Sequence, residues 1–192
     1  MKKDLPLILA STSPRRKQLL EEAGFVFEVL PPEAHVEDER LSNELPTEYV
    51  RRLALQKAAN AAAKVECGII LGCDTVAVCG EYIFEKPADR NDARKMLQQL
   101  RGMIHRVVSG LCLLKIENSS KTTILLETET TQLLMHSMTD DELETYLDTN
   151  KWQGKAGAFG YQDGNDWITI LEGNESNVVG LPMELLRKML NI

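Results

Sequence analysis

The N-terminal half of the chain alternates between short apolar runs and helix-like segments, and this order constrains the fold more than any other feature. Apolar runs at residues 5–10, 25–30 and 68–71 predict buried strands. Helices are predicted between them, over residues 14–23 and about 47–64, with Thr47 as the cap of the second. Strand-like segments then cluster towards the C-terminus. The sequence therefore predicts an α/β fold with a mixed central sheet and flanking helices.

The chain from residue 76 onward carries clear turn and capping residues. Asp89 precedes a helix over about 90–100, and Thr139 with Glu142 forms a capping box for the next helix. No repeat, linker or low-complexity segment divides residues 1–192, so we expect one domain. The remaining predicted elements are an extended segment over 76–84 that turns near Gly80, strands over 107–116, 122–134 and 167–171, and a last helix that Pro182 opens.

Composition narrows the class of partners. The chain has 192 residues and a formal net charge of −7, without the basic run that polymeric nucleic acid requires. Its apolar runs are too short to span a bilayer, and the N-terminus has no cleavage pattern, so we expect a cytoplasmic protein with no membrane partner. The four cysteines form no C-x-x-C pair, which favours reduced thiols over a zinc site.

The first candidate site is the junction of the first strand and helix, residues 11–16. Ser13 is a predicted N-cap and Pro14 the first helical residue. A helix N-terminus offers backbone N–H groups and a positive dipole end, which suit phosphate. Arg15 and Arg16 lie in this first turn, where cations are unfavourable, so either an anionic ligand meets them or both lie in water.

Two further charged residues accompany buried segments. Lys57 falls in the inner stripe of the second predicted helix, where it either meets an anion or extends its ammonium to water. Asp74 follows the apolar run 68–71, at the end of a predicted strand. There it could bind Mg²⁺ or accept a proton from water, although a lone aspartate more often caps a loop.

The last candidates are Lys86, stiffened by Pro87, and a glycine-rich segment over 154–164. Lys86 is by default solvated, and the segment matches neither a P-loop nor a dinucleotide fingerprint. Together the candidates supply cations, one carboxylate and glycine-rich turns whose backbone can come close to a ligand. They include no Ser–His or Cys–His pair. That set fits phosphoanhydride chemistry better than acyl transfer.

At these same residues the sequence resembles the Maf family of nucleoside triphosphate pyrophosphatases. Seven motifs follow in the family's order and span nearly the whole chain. They are 9–16 (LASTSPRR), 52–58 (Arg-Leu-Ala, then Lys-Ala), 72–76 (GCDTV), Lys86-Pro87, the pattern Met-Leu, Leu, Gly, His, Val within 96–107, 155–160 (KAGAFG) and 176–182 (SNVVGLP).

The resemblance implies a Maf/ITPase-like fold with two lobes around a cleft, a homodimer, and a divalent metal, Mg²⁺ or Mn²⁺. It implies hydrolysis of the α–β phosphoanhydride, with Asp74 as the proton acceptor. Glu37 and Asp38 match the family's acidic pair, and Asp38 is assigned a metal role together with Asp74. The positions matching the family's phosphate-side residues are Ser11, Arg15, Arg16, Lys57 and Lys86.

Base preference is implied by Arg15, Thr75 and Gln162, which match positions linked to substrate choice. The pattern around Gln162 resembles the subgroup acting on dTTP and UTP, and an amide can donate to O4 and accept from N3–H of thymine or uracil. A flipped amide would serve cytosine. Tyr161 and Asp163 depart from the usual isoleucine and glycine beside it, and Cys73 and Phe159 replace the usual alanine and tyrosine.

Two alternatives stay open at this point. One keeps the chemistry but takes a modified purine triphosphate such as 7-methyl-GTP as substrate. The other is a nucleotide-sensing regulator of septum formation, since the family has been associated with cell-shape control.

Overall fold

A computed structural model describes residues 5–33, 36–117, 120–164 and 166–191. Strands and helices alternate along the N-terminal half, as the apolar pattern predicts. The elements are β1 (Leu7–Ala10), α1 (Pro14–Glu22), β2 (Phe27–Val29), α2 (Pro46–Ala62), β3 (Gly68–Cys79), β4 (Tyr82–Phe84), α3 (Arg90–Leu100), β5 (Ile104–Glu117), β6 (Ser120–Met135), α4 (Asp140–Asp148), β7 (Ile168–Glu172), α5 (Glu175–Val179) and α6 (Met183–Leu190). Two 3-10 turns, Ala156–Ala158 and Tyr161–Asp163, interrupt the glycine-rich segment.

The strands form a mixed sheet, which confirms the predicted fold class. They follow one another in the order β2-β1-β3-β5-β6-β7, and β4 pairs with β3. β1 is parallel to both β2 and β3, whereas β4 runs antiparallel to β3 and β7 antiparallel to β6. No helix in the described ranges is long and apolar enough to cross a membrane.

The chain divides into two compact units. Among the described residues, unit 1 takes those up to Asp74, Ser109–Glu129 and those from Gly180 onward. Unit 2 takes Thr75–Val108 and Thr130–Val179.

Unit 1 buries both faces of its strands because successive side chains of a strand point to opposite sides. On one face Leu9 packs with Leu20 of α1 and Leu186 of α6. On the other face Ile8 packs with Ala58 of α2. Helices therefore cover each side of this part of the sheet.

Unit 2 has a core of its own. Leu97 of α3, Leu143 and Leu147 of α4, and Met135 of β6 are fully or almost fully buried and lie in one cluster with Phe84. Three predicted signals are confirmed at the ends of helices, one of them in unit 1. Ser13 caps α1, Asp89 caps α3, and Thr139 with Glu142 forms the capping box of α4.

Two predicted boundaries are wrong. α2 is not capped by Thr47: Pro46 occupies the first turn, and the Glu48 carboxylate accepts a hydrogen bond of 3.0 Å from the Leu45 backbone N–H. The strand predicted to end near residue 71 continues to Cys79. Residues 69–72 of β3 pair with β1 and residues 77–79 pair with β4, so pairing with β4 extends the strand beyond its first apolar run.

Candidate active site

A buried ammonium group held by two carboxylates is the centre of the site in unit 1. Lys57 is 4% exposed, and its Nζ donates a hydrogen bond of 2.5 Å to Oδ1 of Asp74, which is 7% exposed. Glu37 Oε1 lies 3.1 Å from the same Nζ. Lys57 therefore points inward and meets anions, which decides between the two alternatives that its position in the helix left open.

Two glycines explain why Lys57 reaches this position. Gly72 and Asp74 are two residues apart in β3 and so face the same side of the sheet, towards α2. A Cβ at Gly72 would lie 2.9 Å from Ala58 Cβ and would overlap the Ala54 carbonyl oxygen. Gly110 of β5 makes the same close approach to the backbone of α2, at its Val50 turn. The absence of these side chains lets the helix lie directly on the strands.

Asp74 lies within a strand, not at its carboxyl end as the sequence suggested. Its carboxylate is oriented by Lys57 and by its fixed place in β3. A carboxylate held in this way can accept a proton from a water molecule or contact a cation.

The two carboxylates on Lys57 fit a divalent cation only as partial ligands. Mg²⁺ is commonly bound by one or two carboxylates together with substrate phosphates, and Asp74 and Glu37 provide that number. Among the residues that the structure describes, no group of three or more His, Cys, Asp or Glu side chains could hold a metal by itself. A metal here would take its remaining ligands from the substrate and water.

Asp38, the residue predicted from the acidic pair, lies differently from Glu37. Both side chains are exposed, but Asp38 Oδ2 accepts a hydrogen bond of 2.5 Å from Gln56 Nε2 of α2. The structure thus brings Glu37, not Asp38, into contact with Lys57. The sequence offered no signal to separate these neighbours, because the path of a loop depends on distant contacts.

Arg52 is a residue to which the sequence assigned no role. It pairs with Glu44 at 2.7 Å and donates to the backbone carbonyls of Asp38 and Glu39. Its hydrogen bonds lower the pKa of Glu44 below the ordinary value. Arg52 therefore attaches the acidic segment that carries Glu37 to α2.

The strand-to-helix turn is closed by Arg16. This side chain is buried; its Nε donates 2.7 Å to the Gly180 carbonyl, and its Nη1 donates 3.2 Å to Ser11 Oγ. Ser11 Oγ also accepts from the Ser13 N–H at 3.1 Å. Arg16 is thus not solvated, and it braces the turn from within.

This turn adjoins the strand that carries Asp74. Cys73, the residue before Asp74, contacts the same Gly180 carbonyl through its Sγ at 3.3 Å. Arg15 is half-buried at the start of α1. Unit 1 therefore brings together most of the predicted catalytic and phosphate-side residues.

The other predicted site residues belong to unit 2. Thr75 is half-buried in β3, and Lys86 is exposed just after β4. The Gly157 N–H donates 3.1 Å to the carbonyl of Glu85, so the glycine-rich segment lies against the segment of Lys86. Gln162 is exposed in the second 3-10 turn.

Comparison with known proteins gives consistent results. A sequence model of the family described as Maf-like protein matches residues 6–192. A dTTP/UTP pyrophosphatase from Rhodopirellula baltica is 46% identical over 185 residues, covering 96% of this chain and 80% of that protein. One from Koribacter versatilis is 40% identical over 185 residues, covering 96% and 92%. The structure of a HAM1 protein from Coxiella burnetii has a similar fold, with a TM-score of 0.50 at 15% identity over 97% of this chain and 98% of that one.

Proposed function

This chain belongs to the Maf family, and from that premise we propose that it hydrolyses nucleoside triphosphates to the monophosphate and pyrophosphate. The relatives named dTTP/UTP pyrophosphatase support this activity. The observation that carries the proposal is the buried contact of Lys57 with Asp74, at 2.5 Å. It provides an oriented carboxylate beside a fixed cation, the pair of groups that attack on a phosphate by water needs.

In the proposed reaction Asp74 accepts a proton from a water molecule while the water oxygen bonds to the α-phosphorus. The bond from this phosphorus to the bridging oxygen breaks, and pyrophosphate leaves with the electron pair. Lys57 orients the Asp74 carboxylate and offsets negative charge that develops on the phosphate oxygens. A divalent cation, Mg²⁺ or Mn²⁺, held by Asp74 and Glu37, would supply further charge neutralisation. The metal role of Asp38 stays a prediction.

The phosphate side of the proposed site comprises Ser11, Arg15, Arg16, Lys57 and Lys86. The bracing of the turn by Arg16 supports a role in holding its backbone N–H groups ready for phosphate.

The proposed substrates are dTTP and UTP, read by Gln162 with Thr75 and Arg15. We further propose that residues 1–192 act as one domain, as a homodimer in the cytoplasm, without polymeric nucleic acid or membrane as partner.

The test is product analysis with a panel of dTTP, UTP, dCTP, GTP and 7-methyl-GTP in Mg²⁺ or Mn²⁺. We expect monophosphate and pyrophosphate, formed fastest from dTTP and UTP. In ¹⁸O-labelled water the label should enter the monophosphate, because the α-phosphorus is attacked. Release of diphosphate and inorganic phosphate would contradict the proposed bond cleavage.

The same panel separates the alternatives. Preference for 7-methyl-GTP would replace the pyrimidine assignment with a modified purine. Binding without hydrolysis in saturating metal would favour a nucleotide-sensing regulator.

A further inference from the structure

We propose that Asp163 is a positioning residue for base recognition: its ion pair with Lys155 closes the glycine-rich segment and fixes the turn that presents Gln162. This inference rests on the proposed function, because it assumes that Gln162 reads the base. Asp163 stands where the family usually has glycine. The ion pair with Lys155 is therefore a feature of this chain's own sequence.

The ion pair is buried within unit 2. Lys155 Nζ donates to Asp163 Oδ2, and each side chain is only 9% exposed. The Tyr146 hydroxyl of α4 donates to the same Oδ2 at 3.1 Å. Two donors therefore hold one carboxylate oxygen, and one of them is anchored in a helix outside the segment. A buried pair of this kind fixes geometry, since either charge alone would be unfavourable.

The backbone of the segment is built to admit this pair. A Cβ at Gly160 would overlap Lys155 Nζ and would lie 2.7 Å from Asp163 Oδ2, the two atoms that form the pair. A larger residue at 160 would therefore displace one or both side chains of the pair. Gly160 leaves the space that the ion pair occupies.

Gln162 lies between two anchored neighbours. Asp163 is held as described, and Tyr161 packs against the apolar core of unit 2. Gln162 itself is exposed. With both flanking side chains held, the backbone of this short turn fixes the direction of the Cα–Cβ bond of Gln162. Restricting the backbone that carries the amide reduces the entropy lost when Gln162 pairs with a base.

The test is a double-mutant cycle on Asp163→Asn and Gln162→Ala. The quantity compared is the preference for thymine over cytosine. It is measured as the ratio of Kd values for the non-hydrolysable α,β-imido analogues of dTTP and dCTP, and as the ratio of kcat/KM for the two triphosphates. Asp163→Asn keeps a similar shape but removes the charge that holds Lys155. We expect the preference to fall by up to about tenfold, the factor for weakening one hydrogen bond, with KM for dTTP changed more than kcat.

In the Gln162→Ala background, Asp163→Asn should produce no further change in preference. The inference is overturned if Asp163→Asn weakens all nucleotides equally, or if its effect on preference persists without Gln162. Tyr146→Phe removes only one donor to the same oxygen and should lower the preference in the same direction, so it serves if Asp163→Asn fails to fold. If the wild type binds the analogues but hydrolyses no triphosphate, the proposed function fails while the Kd ratios still decide the role of Asp163.

Discussion

Lys57 is the residue on which the proposed chemistry depends most. An ammonium group that is 4% exposed is unfavourable unless anions meet it, and here Asp74 and Glu37 do so. The reverse also holds, because Lys57 keeps two carboxylates close together. The proposed catalytic role and the structural role therefore coincide in one side chain, and its removal should affect both activity and stability.

Lys57→Met keeps the aliphatic stem but removes this charge. We expect pyrophosphate release to fall at least about 100-fold, as when a preorganised electrostatic group is lost. The free energy of unfolding should fall by about 3 kcal/mol, because the buried Asp74 carboxylate loses its partner. Initial rates and urea unfolding measure the two effects.

The matched control is Lys64→Met, which removes an exposed lysine paired with Glu33 at 3.0 Å. Exposed pairs contribute little, so stability should change far less than in Lys57→Met and activity should stay near that of the wild type. Full activity in Lys57→Met would remove Lys57 from the mechanism.

His105 provides a prediction about pH. Its ring is buried in unit 2 beside Phe159, with a ring-centroid distance of 5.2 Å, and within the described part of the chain its Nε2 has no hydrogen-bond partner. Burial lowers the pKa of His105 from its ordinary value of 6.5. As pH falls through 6.5, the unfolded chain binds a proton that the folded chain resists, so stability is lost on acidification.

The neutral variant His105→Gln should lack this contribution. We expect the difference in unfolding free energy between wild type and variant to be constant well above pH 6.5 and to shift against the wild type as the pH falls below 6.5. Chemical unfolding at several pH values measures it. A difference independent of pH would show that His105 does not titrate in this way.

At the scale of elements, the contact of α2 with the sheet places Lys57 opposite Asp74. Gly72 and Gly110 permit this contact because helix backbone occupies the space where a Cβ would lie. Both are ordinary strand positions in which only close approach, not an unusual φ angle, requires glycine. The short distance between α2 and the sheet therefore depends on the absence of side chains at these two positions.

Gly72→Ala should therefore push α2 away from Asp74. We expect a loss of about 1–3 kcal/mol in unfolding free energy, typical of overpacking, and a larger loss of activity than that instability explains. Gly110→Ala is the comparison, since it displaces the same helix at its Val50 turn. It should destabilise similarly but retain more activity per folded molecule. Equal activity losses in the two variants would show that activity is no more sensitive to displacement of α2 near Lys57 than near Val50.

Elements were predictable where their signals are local. The caps at Ser13, Asp89 and Thr139 follow from side chains that hydrogen-bond within one helical turn. The true length of β3 was not predictable from its first apolar run, because pairing with β4 extends the strand. The contact of Glu37 with Lys57 could not be predicted either, since Arg52 and Gln56 hold the acidic segment through contacts distant in sequence.

At the scale of the whole molecule, the proposed roles follow the division into two units. The residues proposed for proton transfer and most phosphate-side residues lie in unit 1, whereas Thr75, Lys86 and Gln162 lie in unit 2. Asp74 and Thr75 are consecutive in β3 but belong to different units. The ordered motifs of the sequence predicted which residues form the site, but the positions of their side chains required the structure.

The metal concentration that activity requires should distinguish the roles of Glu37 and Asp38. Chelation should abolish pyrophosphate release, and Mg²⁺ or Mn²⁺ should restore it. Glu37→Gln should raise the metal concentration needed for half-maximal rate about tenfold or more, in the range reported for weakened metal sites. Asp38→Asn should have a smaller effect, since its carboxylate binds Gln56. The opposite order would return the metal role to Asp38.

The most direct test of the account is the initial rate of pyrophosphate release from dTTP by the wild type, Asp74→Asn and Glu66→Gln. Glu66 is an exposed carboxylate of unit 1, so its variant controls for loss of one charge. We expect the wild type and Glu66→Gln to be equally active, and Asp74→Asn to lose about 100-fold to 10,000-fold with its fold intact by circular dichroism. A folded Asp74→Asn protein with wild-type turnover would contradict the assignment of the Lys57–Asp74 pair as the catalytic centre.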